Sequence, residues 1–183
     1  MGFSKIFWGF IFLFDFRLNG VDIIPDFIGF ILIYFGLQKL VEKNNNFELA
    51  KNLAFPLIFI SVFDIYQIQK PGINIITMSG IGLIIGAVFT ILSLIMVYRI
   101  CLGISEMANG RSENELATKS MNRWTLYLIN QIIIWFILLT SFVFKNTLTI
   151  LALTVIIISF VVYILMLMLF KEAGDTLENY NEQ

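Results

Sequence analysis

Long stretches of this chain carry no charged residue. Residues 148–170 contain none, and neither do residues 124–144 or 72–98. A helix needs about 20 apolar residues to cross the hydrocarbon core of a bilayer, so these stretches predict transmembrane helices. The composition agrees, because hydrophobic residues make up 58% of the chain and charged residues only 14%, whereas soluble domains average about 25% charged.

Polar or helix-breaking connections divide the chain into six predicted helices. Asn44-Asn45-Asn46, Lys70-Pro71-Gly72 and Lys145-Asn146-Thr147 are the clearest of them. The predicted fold is an all-α integral membrane protein, a six-helix transmembrane bundle built from three antiparallel hairpins within a single transmembrane domain, 1–183. The predicted helices cover about 4–18, 25–41, 47–68, 75–107, 113–144 and 147–173.

The first predicted helix is short. Its uncharged part covers only residues 6–14, about half of what a span requires. It either crosses a thinned bilayer or lies in the membrane interface.

The basic residues are distributed unevenly between the two faces of the predicted bundle. Of the 12 lysines and arginines, only Arg17, Lys70 and Lys145 fall on the face that lacks the chain termini. The positive-inside rule places the more basic face in the cytoplasm. We therefore expect a multi-pass protein of the inner (cytoplasmic) membrane with both termini cytoplasmic.

Several function classes are disfavoured by composition. The chain has no histidine, and Cys101 is its one cysteine. This excludes histidine-based metal sites, Ser-His and Cys-His nucleophile systems, and an internal disulfide. The net charge of −1 and the lack of a basic stripe argue against a nucleic-acid partner. We predict no catalytic residue, no cofactor and no metal site.

Four aspartates and one arginine are predicted to meet near the outer face. Asp15, Arg17, Asp22 and Asp26 surround the junction of the first two helices, and Asp64 approaches from the third. The structural interpretation is a network of ion pairs that ties these helices together, because ionisable groups at membrane depth are usually paired. The alternative is an outward-facing site for a cation or solute, although the spacing matches no calcium-binding loop.

Two further patterns lie inside predicted helices. Asn130 and Gln131 are adjacent polar residues in an apolar span, where they either form interhelical hydrogen bonds or line a solute pocket. Gly82 and Gly86 form a G-x-x-x-G pattern. This pattern predicts close packing within the bundle, or between two copies in a homodimer.

The segment FDFRLNGVDIIPDFIGFILIYFGLQKL, which begins at Phe14, resembles the N-terminal signature of small, uncharacterised bacterial membrane proteins. The resemblance is confined to the first part of the chain and implies a bacterial inner-membrane protein. Phe14-Asp15-Phe16 and Asp22-Ile23-Ile24-Pro25 are also similar to stretches in the substrate-binding subunits of energy-coupling vitamin transporters. Those subunits are six-helix proteins with an outward-open site. The early helices here lack the alanine-rich contact motif of those subunits, so coupling to an energising module is not implied.

Three functions are compatible with these features. The first is a non-enzymatic accessory subunit that binds another membrane protein or a second copy within the lipid bilayer. The second is a transporter or solute-binding component that uses the outer acidic residues. The third, ranked last, is a lipid-modifying enzyme in which carboxylates hold magnesium against a phosphate.

Overall fold

The computed structural model describes residues 1–13, 17–18, 21–22, 26–64, 80–141 and 149–178. Within these residues the chain is helical apart from one short pair of strands and the turns that connect helices. The elements in chain order are α1 (Gly2–Phe12), β1 (Arg17–Leu18), β2 (Val21–Asp22), α2 (Asp26–Gln38), α3 (Asn45–Asp64), α4 (Gly80–Asn109), α5 (Asn114–Ser141) and α6 (Thr149–Leu177).

The observed bounds differ most from the sequence prediction at α1. The sequence predicts a helix over 4–18, whereas α1 covers Gly2–Phe12 and Arg17–Leu18 is extended. β1 pairs with β2 in antiparallel register, with Leu18 opposite Val21. The dipeptide between them in the sequence, Asn19-Gly20, is typical of two-residue hairpin connections. The sequence prediction followed the hydrophobic pattern and did not use this signal.

The C-terminal helix is longer than the prediction, which ended at residue 173. It continues to Leu177, because Ala173 and Leu177 are both fully buried against the rest of the core. Tertiary packing therefore adds a turn to a polar sequence that would not be expected to continue as a transmembrane segment.

Among the residues that the structure describes, three helices are long and apolar enough to cross a membrane. These segments are Gly82–Asn109, Asn114–Thr140 and Leu153–Leu177, within α4, α5 and α6. Two shorter apolar helices, α1 and α2, accompany them. Large apolar side chains such as Ile84, Phe136 and Ile157 are about two-thirds exposed, as expected of surfaces whose solvent is lipid.

α1 and α2 pack closely against each other through four glycines. A Cβ atom added to Gly9 would lie 2.7 Å from the carbonyl oxygen of Gly29, and one added to Gly29 would lie 2.7 Å from that of Gly9. Gly2 and Gly36 form a second pair, with corresponding distances of 2.8 and 2.7 Å. Only glycine allows two backbones to approach this closely, so these pairs fix the antiparallel register of α1 and α2.

The helix contacts close into a circle. Each helix packs against the next one in the sequence, and α6 also packs against α1. Phe10 of α1 lies 4.6 Å from Phe170 of α6 between ring centroids, and Phe30 of α2 lies 5.6 Å from Phe89 of α4. These aromatic pairs, in which all rings but the half-buried Phe89 are buried, connect the α1–α2 pair to the long helices on either side.

Hydrogen bonds join the helices at one end of the molecule, which we call the polar end. There the Glu178 carboxylate accepts hydrogen bonds from the backbone N–H groups of Gly2 (2.5 Å) and Phe3 (2.9 Å). It thus satisfies donors that the first turn of α1 leaves without an intrahelical partner. Lys119 of α5 donates to Glu172 of α6 at 2.6 Å, so the C-terminal part of α6 is bound to two helices.

Substitution of Gly9 by alanine should destabilise the protein by about 1–3 kcal/mol, because the new methyl group meets a backbone oxygen that cannot move away alone. Gly86→Ala is the matched control, since its Cβ would meet only the Trp135 side chain at 4.0 Å. We expect that variant to be unchanged or slightly more stable. The measurement is reversible unfolding in mixed detergent micelles, and equal destabilisation by both substitutions would contradict the glycine-contact account.

Substitution of Glu178 by alanine should lower the free energy of unfolding by about 0.5–2 kcal/mol, the range measured for lost helix caps. Asp175→Ala removes an acid from the same end of α6, but Asp175 is exposed, so it should have little effect. Thermal unfolding of both variants tests this. Hydrogen exchange at Gly2 and Phe3 should accelerate only in the Glu178 variant.

Candidate functional site: a cavity among five helices

A cavity of about 1160 Å³ lies among α1, α2, α4, α5 and α6. It is slightly larger than the ~300–1,000 Å³ typical of small-molecule sites. Its lining residues on α1 and α2 include Leu13 and Asp26, which lie at the end of each helix that is remote from the polar end. The cavity therefore occupies the half of the molecule opposite the polar end.

Polar side chains from four helices lie within an otherwise apolar lining. On α4 and α5 they are separated by one helical turn or less, which places them at similar depth. These residues are Asp26, Thr90, Ser93, Tyr127, Asn130, Gln131, Ser159 and Tyr163. A mostly apolar cavity with a few convergent polar groups is the usual composition of a ligand site.

Two hydrogen bonds connect the helices around the cavity. The Ser159 hydroxyl of α6 donates to Asn130 Oδ1 of α5 at 3.1 Å, and the Trp135 indole of α5 donates to Thr90 Oγ1 of α4 at 3.2 Å. α5 is thus held to both of its neighbours. Such bonds stabilise helix contacts in membranes by about 0.6–2 kcal/mol.

Other polar atoms keep hydrogen-bonding capacity toward the cavity. Gln131 Nε2 donates to the Tyr127 hydroxyl on the same helix at 3.3 Å. Ser93 Oγ is buried, and within the described part of the chain it makes no hydrogen bond. A buried hydroxyl without a partner is costly, by about 1–3 kcal/mol.

The described lining carries one carboxylate and no basic side chain. Asp26 is half-buried and lies in the first turn of α2. A negative charge is stabilised there by the positive end of the helix dipole. The first turn of α2 is thus one source of stabilisation for a negative charge on Asp26.

The cavity is not sealed from the surrounding solvent. Ile156, Ile157 and Phe160 of α6 line it, yet they are 63%, 66% and 49% exposed. Along this helix the cavity lining is continuous with apolar surface that lipid would cover.

The structure places the predicted acidic residues as follows. Asp15 lies outside the described residues. Arg17 and Asp22 are opposite each other in the strand pair. Asp64 is the last residue of α3, and α3 contributes none of the described cavity lining. Among the described lining residues, Asp26 is the one member of this group that borders the cavity.

The two polar residues predicted in α5, Asn130 and Gln131, both line the cavity, and Asn130 also forms an interhelical bond. The two interpretations of these residues are therefore compatible. Gly82 and Gly86 lie in α4, and Gly86 faces the Trp135 side chain at a distance that leaves room for a methyl group. The glycines whose added Cβ would meet a facing backbone are those of α1 and α2, and a homodimer contact through Gly82 and Gly86 stays a prediction.

Sequence reasoning did not identify Thr90, Ser93, Tyr127, Ser159 or Tyr163. A signal was present, because Tyr127 and Gln131, and likewise Ser159 and Tyr163, are four residues apart. This spacing places each pair on one face of an otherwise apolar helix. Among the described residues, no group of three or more acidic or cysteine side chains is arranged to hold a metal ion.

Comparisons with family models, curated proteins and solved structures find no match for this chain.

The Asn130–Ser159 bond predicts a measurable coupling between α5 and α6. Asn130→Ala and Ser159→Ala should each lower the free energy of unfolding. The loss in the double variant should be smaller than the sum of the two single losses by about 0.6 kcal/mol. Unfolding of the four proteins in detergent micelles gives the coupling energy. Thr125→Ala is a suitable control on α5, since that exposed hydroxyl bonds only a carbonyl of its own helix. Strictly additive losses would contradict the bond.

Proposed function

We propose that this protein is a solute-binding component of a bacterial inner membrane. The observation that carries the proposal is the cavity, in which polar side chains from four helices face one space within an apolar wall. In this proposal the six helices form a transmembrane bundle of three antiparallel hairpins, and the solute occupies the space among five of them.

The cavity opens beside α6 onto a surface that lipid would cover, so either lipid tails or a ligand would occupy it. An unfilled space of about 1160 Å³ would forfeit many dispersion contacts along its lining. We therefore expect the cavity to be filled, and its polar side chains favour a ligand with hydrogen-bonding groups over plain lipid tails.

The proposed orientation follows from charge. Basic residues at the polar end include Arg111, Lys119 and Arg123, near the start of α5. The positive-inside rule supports placing this end in the cytoplasm. The cavity then faces the outer side of the membrane, where a solute-binding component would meet its ligand.

The short helices fit this arrangement if the bilayer is locally thinned. α1 contains 11 residues and α2 contains 13, lengths of about 16 and 20 Å. α1 packs against both α2 and α6, which favours a place inside the bundle over an interfacial position. Local thinning accommodates short spans at modest cost.

The other two functions stay predictions. An accessory subunit would use the exposed apolar faces of α4, α5 and α6, but those faces are equally expected of any lipid-facing helix. A lipid-modifying enzyme would need several carboxylates around magnesium, and the described part of the cavity lining contributes only Asp26. The cavity favours the solute-binding function over both.

Filling the cavity should abolish ligand retention. Val155 lines the cavity and is half-buried, so Val155→Trp would place an indole inside it. Leu153→Trp is the matched control, because Leu153 lies on the same helix and is 58% exposed. We expect native mass spectrometry of the purified parent and of the Leu153 variant to show a bound small molecule that the Val155 variant lacks.

A parent protein that carries no molecule, and that no compound in a broad thermal-shift screen stabilises, would contradict the solute-binding function. Equal retention by the two tryptophan variants would place the bound molecule outside the cavity. A ligand present at one hundred times its Kd should stabilise the folded protein by about 2.7 kcal/mol, which such a screen detects.

A further inference from the structure

We infer that the part of α6 remote from the polar end, residues 151–161, is a movable wall of the cavity that swings about Ser159 and controls exchange of the ligand. We call this part the distal segment of α6. The inference rests on the proposed solute-binding function and specifies how that site opens and closes. Three features carry it: the uneven packing of α6, the contacts that hold its neighbours, and the position of the Ser159 hydrogen bond.

α6 is packed tightly into the protein along only one part of its length. From Val162 to Leu177 it contributes a buried side chain at each turn, among them Met166, Phe170 and Ala173. In the distal segment, each side chain that the structure describes is exposed or half-buried. Few buried contacts are typical of segments that open locally at low free-energy cost. The C-terminal part therefore anchors α6, and the distal segment is the part that moves.

The cavity borders the distal segment around a wide part of its circumference. Val155, Ile156 and Ile157 all line the cavity. At 3.6 residues per turn, three consecutive side chains cover about 200° of the helix surface. A helix that packs against a core typically buries a stripe of about 100°. The distal segment thus has space beside it into which it can swing.

The helices that face α6 across the cavity are held at that depth. Phe89 of α4 packs against Phe30 of α2 with 5.6 Å between ring centroids. Trp135 of α5 donates a hydrogen bond to Thr90 of α4. These contacts join α2, α4 and α5 into one wall. A swing of the distal segment relative to that wall is therefore the smallest rearrangement that changes the opening beside α6.

Ser159 lies close to the junction between the two parts of α6, and its hydroxyl has two alternative acceptors. In the structure it donates to Asn130 Oδ1 of α5 at 3.1 Å, which holds the distal segment beside α5. A serine within a helix can instead donate to the carbonyl four residues earlier, here that of Val155, and such a bond often bends the helix. Exchange of one acceptor for the other gives α6 two discrete positions, one latched to α5 and one released.

The test measures two distances between α5 and α6 in lipid nanodiscs, by pulsed electron paramagnetic resonance of spin labels. Phe136→Cys with Leu153→Cys reports the distal segment, and Thr118→Cys with Lys171→Cys reports the same helices near the polar end. All four side chains are exposed. The two hydrogen bonds between α5 and α6 set a register in which each pair lies at one depth. Cys101, which is buried, is replaced by alanine throughout.

The distal pair should give two populations of distance, and the polar-end pair should give one narrow population. Asn130→Ala removes the latch and leaves the Ser159 hydroxyl to its own helix. It should therefore shift the distal pair toward the longer distance and leave the polar-end pair unchanged. Ser159→Thr keeps a hydroxyl at the junction and should retain the distribution of the parent.

A reversible lock tests the link to ligand exchange. Ile134 and Val155 both line the cavity, and each lies about one helical turn beyond the Asn130–Ser159 bond. A disulfide requires Cα atoms within about 7 Å, so oxidation of the variant with Ile134→Cys and Val155→Cys should trap the closed wall. The small molecule that native mass spectrometry detects on this protein should then dissociate more slowly, and reduction should reverse the effect in the same variant.

The outcomes separate the movable wall from the function itself. A single narrow distance for the distal pair, or equal broadening of both pairs, would overturn the movable wall and leave the solute-binding function standing. A disulfide that does not form, or that leaves the dissociation rate unchanged, would contradict control of exchange by α6. A parent protein that carries no molecule would overturn the solute-binding function, whereas the spin-label distances would still decide whether α6 moves.

Discussion

The close contact between α1 and α2 is the constraint on which the rest of the arrangement depends. Lipid tails are as apolar as leucine, so helices in a bilayer gain little from hydrophobic association and must find close packing or hydrogen bonds. Gly9 and Gly29 bring the two backbones within van der Waals distance. This pair then presents Phe10 to α6 and Phe30 to α4, and so sets the positions of two helices that border the cavity.

α5 has the complementary role on the other side of the cavity. It is hydrogen-bonded to α6 through Asn130 and to α4 through Trp135. Its Ser120 hydroxyl also donates to the Cys101 carbonyl of α4 at 2.7 Å, where both residues are buried. Polar side chains therefore hold α5 in place, and some of them also line the cavity. Structural and ligand-binding interpretations of polar residues in membrane helices are thus not exclusive.

The helical class and the three long apolar helices could be predicted from the sequence, because uncharged apolar segments of that length form few structures other than membrane-spanning helices. The end of α1 could not, since β1 and β2 depend on a local turn preference rather than on hydrophobic pattern. The glycine pairs were also missed: seven-residue spacing across two short helices is less conspicuous than Gly82 and Gly86 in a long one. The cavity was only partly foreseen through Asn130 and Gln131, because it depends on how five helices diverge.

The contact between α1 and α6 has a consequence for the order of assembly. α6 is the last of the six helices to be synthesised, yet it supplies Glu178 to the first turn of α1 and Phe170 to its buried face. Contacts between such distant parts of a chain form slowly, because a long loop must close first. Until α6 has inserted, the α1 surface that receives it stays open to lipid and to other membrane proteins.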